Sequence, residues 1–287
     1  MSRLPARRRC ATTGRGPAAP AIDLRLDGHV HTRLCRHATG SMEDYVRAAM
    51  AKGLRTIVFL EHLEAGISYG ERTWLTEEDF AVYFEEGLRL RSIYADRLAI
   101  LLGVEVGYNP LAVDILQDRL ARHPWDRVGL SYHFFFDGRR HLNMVSRKRH
   151  NIDALAAIGP DTVVEHYFSQ LISALDCFDN VTVLCHLDAV MRHSPSLRFN
   201  DSHWEQVERL LDIVRRKNIS LEINTSGYAL RNEPYPGRRI IRRAVELGIP
   251  LTAGSDAHHP EQVGRCFELL PAYLSDLRRA DRPPSAE

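Results

Sequence analysis

Leu26-Asp27-Gly28-His29-Val30-His31, with His37 six residues further on, is the stretch whose reading decides the fold. The residues leading into it, Ile22-Asp23-Leu24-Arg25-Leu26, alternate apolar and polar and predict a strand just before a glycine and two histidines. On an extended chain residues two apart share a face, so His29 and His31 can present two imidazoles to one cation. One His-x-His pair alone is weak evidence. It becomes a site only if other strands also end in ligands.

They do. Strands are predicted over residues 56–60, 99–104, 127–132, 181–185, 220–224 and 250–254. In order, these run into Glu61-His62, Glu105, His133, His186, Asn224 and Asp256-Ala257-His258. Helical spacing falls between them, over 41–52, 76–94, 113–122, 161–178, 203–217 and 237–247, with a last helix from residue 260. Ser41 is the expected N-cap of the first, with Glu43 and Asp44 in its first turn. The segment 134–159, rich in Arg and His, reads as a long loop beside the site.

Alternating strands and helices with near-continuous apolar strands imply a parallel sheet covered on both faces. Strands at opposite edges of an open sheet cannot bring their ends to one point, whereas a closed barrel gathers them on one rim. The expected architecture is therefore α/β, a distorted (βα)7 TIM-like barrel over residues 22–278 with the site at the strands' C-terminal ends. Residues 1–21, rich in Arg, Pro and Ala, read as a disordered leader, and 279–287 as a polar tail.

Composition narrows the function classes. The chain has 287 residues, 44% of them hydrophobic, enough for one sizeable core. Five arginines and no acids precede Asp23, so the formal net charge of +1 conceals a mildly acidic body. Such a body does not advertise a nucleic-acid surface. The run Phe134-Phe135-Phe136 with Arg139, Arg140, Arg147, Lys148 and Arg149 is the one stretch that could bind a nucleotide or oligonucleotide. Five scattered cysteines without a Cys-x-x-Cys argue against a disulfide framework and fit a reducing cytoplasm. No apolar run is long enough to span a membrane.

Imidazole with carboxylate suits zinc, manganese or iron. Seven histidines (His29, His31, His37, His62, His133, His186, His258) and two carboxylates (Glu105, Asp256) exceed one ion's coordination, which implies two or three divalent ions. Glu105 is the natural ligand to share between them. The other seven histidines (His123, His141, His150, His166, His193, His203, His259) are expected on the surface or in loops.

These residues resemble the PHP (polymerase and histidinol phosphatase) superfamily, and within it the histidinol-phosphatase branch. The motifs are Asp-Gly-His-Val-His-Thr with His37, Glu61-His62, Gly103-Val104-Glu105, Ser131-Tyr132-His133, Cys185-His186-Leu187-Asp188 and Gly254-Ser255-Asp256-Ala257-His258. The resemblance implies a distorted (βα)7 barrel with a trinuclear centre. It places one ion on His29, His31, Glu105 and Asp256, a second on Glu105, His133 and His186, and a third on His37, His62 and His258.

The implied activity is hydrolysis of a small phosphate ester, L-histidinol phosphate first, by in-line attack of a metal hydroxide. Glu105 and Asp256 are the expected catalytic carboxylates, with Asp256 one candidate donor to the leaving alkoxide. Arg192 is expected to grip phosphate. Asp188 and Glu64 are candidates for the cationic leaving group, and Glu61 for orienting a ligand. The alternatives are a nucleotide or oligonucleotide phosphoesterase and a non-catalytic metal-binding module.

Overall fold

The structure, a computed structural model, describes residues 22–194 and 197–279. The Arg-rich leader and all but the first residue of the polar tail lie outside these residues. Seven parallel strands form one sheet in the order β1 (Leu26–Val30), β2 (Thr56–Leu63), β3 (Ala99–Gly107), β4 (Arg127–Ser131), β7 (Val183–Leu184), β8 (Ser220–Asn224) and β9 (Leu251–Gly254). β5 (Phe134–Phe136) and β6 (His141–Asn143) pair separately as an antiparallel hairpin.

The sheet closes on itself. Val30 bridges Ala257 in parallel, His31 N–H donates to the Ala257 carbonyl at 2.9 Å, and Asp256 N–H donates to the His29 carbonyl at 2.8 Å. The two edge strands are thus joined through the backbone of the ligand-bearing segments.

Side-chain alternation sorts each strand between barrel interior and outer core. Val58, Leu60, Val183 and Cys185 form a small cluster of their own, while Ile57, Phe59, Leu102, Val104, Leu221 and Ile223 join the large core shared with the helices. Arg127 reaches across the interior and donates to the Gly28 carbonyl and Thr252 Oγ1, each at 3.2 Å. A Cβ at Gly28 would stand 2.3 Å from that guanidinium, which explains the glycine.

The helices α1 (Met42–Ala51), α2 (Glu77–Tyr94), α3 (Val113–Ala121), α4 (Arg149–Ile158), α5 (Pro160–Cys177), α6 (Asp201–Arg216), α7 (Arg238–Glu246) and α8 (Leu270–Arg279) surround the sheet in sequence. Reciprocal capping boxes start three of them, Ser41 with Asp44, Thr76 with Asp79 and Asn200 with His203. Each satisfies backbone donors that the first turn leaves unpaired.

Three expectations need correction. The first strand begins at Leu26 rather than ending there, so His29 lies within it. Segment 134–159 is the β5–β6 hairpin followed by α4 rather than a long loop. From Pro260 the chain makes two short 3-10 turns, Pro260–Gln262 and Phe267–Leu269, and the last α-helix starts at Leu270. In addition, β2 and β3 continue to Leu63 and Gly107, which places Glu61, His62 and Glu105 inside strands. Polar groups survive in these buried strands because each finds a partner at the site.

Candidate metal centre

All nine expected ligands converge at the barrel's C-terminal rim. Glu105 stands at the middle, its carboxylate wholly buried. Its Oε1 lies 2.7 Å from His186 Nε2 and 3.2 Å from His133 Nε2. Its Oε2 lies 2.9 Å from His62 Nδ1, 3.5 Å from His29 Nε2 and 3.7 Å from His31 Nε2. The two oxygens therefore address different sets of imidazoles. Asp256 Oδ1 lies 3.4 Å from His31 Nε2 and 4.0 Å from His29 Nε2. On the open side, His37 Nε2 and His258 Nε2 face each other at 2.9 Å.

The far nitrogens of these rings are tied back, which aims the near ones inward. His29 Nδ1 is bonded to Glu222 Oε1 and His133 Nδ1 to Glu64 Oε1, each at 2.8 Å. His37 Nδ1 faces the Cys35 carbonyl at 2.9 Å and His258 Nδ1 the Asp256 carbonyl at 3.0 Å. Behind His31, Glu61 Oε2 lies 3.8 Å from Nδ1, while Glu61 Oε1 accepts the Thr32 N–H at 2.8 Å and hydroxyl at 2.5 Å. Outer partners of this kind fix tautomer and ring angle in metal sites.

Space for two of these carboxylates is made by glycine. A Cβ at Gly254 would lie 2.0 Å from Glu222 Oε1, and one at Gly107 would lie 1.9 Å from Glu64 Oε1. Glu222 also accepts the His186 N–H at 2.8 Å and the Asn224 amide at 3.1 Å. The first of these steadies His186 at φ +23, an uncommon conformation for a non-glycine residue; Asp256 is similarly placed at φ +50.

The charges respond to this crowding. Burial opposes ionisation of Glu105, yet the positive potential of His133, His62 and His29 holds its carboxyl well below the usual range. Burial likewise opposes charge on Asp256, but His31, His29 and His258 hold it well below normal. Burial lowers His62 and His258 well below the ordinary imidazole value, with His31's charge adding to it. Burial also works against His133, but Glu105 and Glu64 raise it to about 10.

The donor set fits divalent cations. Two donors about 2.0–2.1 Å from one ion stand about 2.9–3.4 Å apart, the range spanned by right-angled and tetrahedral geometry. The facing His29–His31 and His37–His258 nitrogen pairs, each 2.9 Å apart, lie at the lower edge of that range. Glu105 Oε2, wholly buried, makes no hydrogen bond of good geometry although His62 Nδ1 stands 2.9 Å away, as suits an oxygen that shares a cation with that ring rather than a proton. The groups His29, His31 and Asp256; His29, Glu105 and His186; and His31, His62 and His258 can each hold an ion.

The PHP domain pattern matches residues 27–226, enclosing β2 to β8 and all but the first residue of β1. The chain belongs to the PHP domain family. A second pattern, PHP-associated, matches residues 234–278 of this PHP protein. It is 29% identical over 246 residues to the "Probable histidinol-phosphatase" of Deinococcus radiodurans, covering 84% of this chain and 89% of that one. It is 27% identical over 262 residues to the histidinol-phosphatase of Bacillus subtilis, covering 84% and 96%. Its fold matches the crystal structure of histidinol phosphate phosphatase from Lactococcus lactis, complexed with zinc, L-histidinol and phosphate. That match has a TM-score of 0.69 and 20% identity, covering 88% of this PHP protein and 93% of the other chain.

The centre floors a cavity of about 460 Å³ whose walls include Glu64, Tyr69, Phe134, Asn143, Arg192 and Arg265. Arg192 lines it and donates to the Val145 carbonyl at 2.8 Å. Glu64 lines it too, although one of its oxygens is engaged by His133.

Asp188 is placed differently from expectation. It is outside the cavity lining, receives both terminal nitrogens of Arg231 at 2.8 and 3.1 Å, and accepts the Gly237 N–H at 2.8 Å. It ties the segment after β7 to the segment after β8. The Phe134–Phe136 run does not present three rings on one face; Phe136 is exposed and lies against His141. Phe134 packs on Tyr69 and Trp74, and Phe135 packs on His166.

Of the histidines assigned to surface or loops, His141 and His203 are buried and His259 lines the cavity. Glu222 was not foreseen. Its sequence signal is an acid at an inward position of Ser220-Leu221-Glu222-Ile223-Asn224, where the outward residues are apolar.

Proposed function

We propose that this protein is a metal-dependent histidinol-phosphatase, converting L-histidinol phosphate and water to L-histidinol and phosphate. The observation that carries it is Glu105 at the centre of seven imidazoles and Asp256, beneath a cavity sized for a small molecule. The phosphatase names of relatives matched over most of their length support the substrate. We assign two or three ions to the centre, zinc first because of the Lactococcus lactis complex, with manganese and iron as alternatives. A reducing cytoplasm suits the described cysteines, all free thiols. No helix among the described residues is long and apolar enough to cross a membrane.

Bound divalent ions supply a water-derived nucleophile at neutral pH and neutralise phosphoryl charge. The chain's own residues do the rest. Glu105 spans the centre with one oxygen toward His133 and His186 and the other toward His29, His31 and His62. Glu222 and Glu64 hold the imidazoles of His29 and His133 in register, and Glu61 lies behind His31. Arg192, anchored on Val145, grips the phosphoryl group from the wall.

The test is phosphate release from L-histidinol phosphate, AMP and p-nitrophenyl phosphate by protein reconstituted with zinc, manganese or iron. A strong preference for histidinol phosphate that disappears in His31→Ala is expected. Hydrolysis of AMP in preference to histidinol phosphate would replace the substrate and keep the centre. Metal-loaded protein inactive on all three esters would overturn the reading.

A further inference from the structure

The cavity contains four cationic side chains, Arg147, Lys148, Arg192 and Arg265. Lys148 is paired with Glu71. Arg192 and Arg265 differ, because they donate to backbone carbonyl oxygens, which fix a guanidinium without cancelling its charge. Arg192 donates to Val145. Arg265 donates through Nε to the Ser255 carbonyl at 2.8 Å and through one terminal nitrogen to the Asp256 carbonyl at 2.9 Å. Among the described residues, neither has a carboxylate within ion-pair distance.

The carboxylates whose charge Arg265 feels are already engaged. Asp256 is turned to His31 and His29, and Asp27 accepts the N–H groups of Ser255 and Gly264 at 2.9 and 2.7 Å. Arg265 is therefore a half-buried, rigidly held fork with net positive charge, one residue beyond a backbone clamp. Both guanidiniums line the same cavity above the centre. Two fixed forks with surplus charge beside a metal centre match a tetrahedral dianion.

We propose that Arg265 is a substrate-binding residue that acts with Arg192 as a two-guanidinium clamp on the phosphoryl oxygens. This rests on the phosphatase reading above. Arg192 approaches from the segment after β7 and Arg265 from the segment after β9, and both line the cavity. Because Arg265 bonds the backbone of Asp256, the same side chain that holds the ester also registers its phosphorus against that ligand.

The experiment compares wild type, Arg265→Gln and Arg265→Lys, each zinc-loaded and checked for zinc content and melting temperature. Inhibition by inorganic phosphate and by L-histidinol is measured against turnover of the best phosphomonoester. Loss of charge-assisted bonds should weaken phosphate inhibition about 10- to 100-fold in Arg265→Gln. Arg265→Lys should recover part of the loss, since it keeps the charge without the fork. Inhibition by L-histidinol and zinc content should be unchanged.

Unchanged phosphate inhibition overturns the proposal. So does a parallel loss of zinc, phosphate and histidinol binding in both variants, which would make Arg265 a brace for Asp256 only. If wild type hydrolyses no phosphomonoester, the phosphatase reading has failed, and calorimetric titration of the zinc-loaded proteins with inorganic phosphate decides Arg265 independently. Weaker binding in Arg265→Gln then supports the clamp and equal binding overturns it.

Discussion

Gly254→Ala adds one methyl group at the most sensitive point behind the centre. The new Cβ would fall 2.0 Å from Glu222 Oε1 and 2.9 Å from His29 Cβ. A comfortable non-bonded separation is about 3.5 Å, so the carboxylate must retreat by more than about 1 Å. Its bonds to His29 Nδ1 and the His186 N–H, both 2.8 Å, cannot survive that movement together. Each charge-assisted bond of this kind contributes about 1.5–3 kcal/mol. Loss of an outer partner typically weakens metal affinity about 10- to 100-fold.

The expected result is weaker zinc binding by about that factor, with the fold intact, measured by competition with a chromophoric chelator. Zinc should also raise the melting temperature less than in wild type. Glu222→Gln should weaken zinc less, because it keeps the volume and one acceptor oxygen. Gly254 does not occupy the left-handed region, so space rather than backbone conformation is under test. Zinc affinity of Gly254→Ala within twofold of wild type would refute the reasoning.

Glu64→Gln should likewise weaken zinc about tenfold or more by loosening His133, and unchanged zinc affinity would return Glu64 to a substrate role. In the metal-free protein Glu105 and Glu64, against the effect of burial, raise His133 to about 10, so it is protonated at neutral pH. Its folded value exceeds the unfolded one, so its contribution to metal-free stability is full below about pH 6.5 and fades toward pH 10. Zinc binding at pH 7.5 should therefore release at least one proton, read from calorimetry in buffers of different ionisation enthalpy. Asp188→Ala leaves Arg231 without its buried counter-charge and should cost about 3–5 kcal/mol in denaturant unfolding; a loss below about 1 kcal/mol would show the pair to be dispensable.

Much of the barrel is legible because its ligands interrupt apolar strands at their ends. A histidine following Val183-Leu184-Cys185, or an acid following Leu102-Gly103-Val104, has no reason to be there in a purely structural strand. The first strand was displaced because Asp27, His29 and His31 look like a loop by polarity, while their partners Ser255, Glu222 and Asp256 lie more than two hundred residues away or on other strands. The β5–β6 hairpin was missed because three residues per strand cannot establish a period. Glu222, Gly107 and Gly254 are silent for a related reason. Each is unremarkable alone, and meaning comes only from a carboxylate filling the space where a methyl group would stand.

The joint between β1 and β9 has a mechanical consequence. The bonds that close this ring, His31 N–H to Ala257 and Asp256 N–H to His29, run through the main chain of His29, His31 and Asp256, three residues whose side chains we assign to the metal centre. The centre therefore works as a rivet through the seam of a hoop. Withdrawing the rivet exposes the joint, and the amides of His31 and Asp256 should be the first of the barrel to exchange with solvent when metal is stripped. Stability and activity in this barrel would then fail together, at one place, and be restored by one ion.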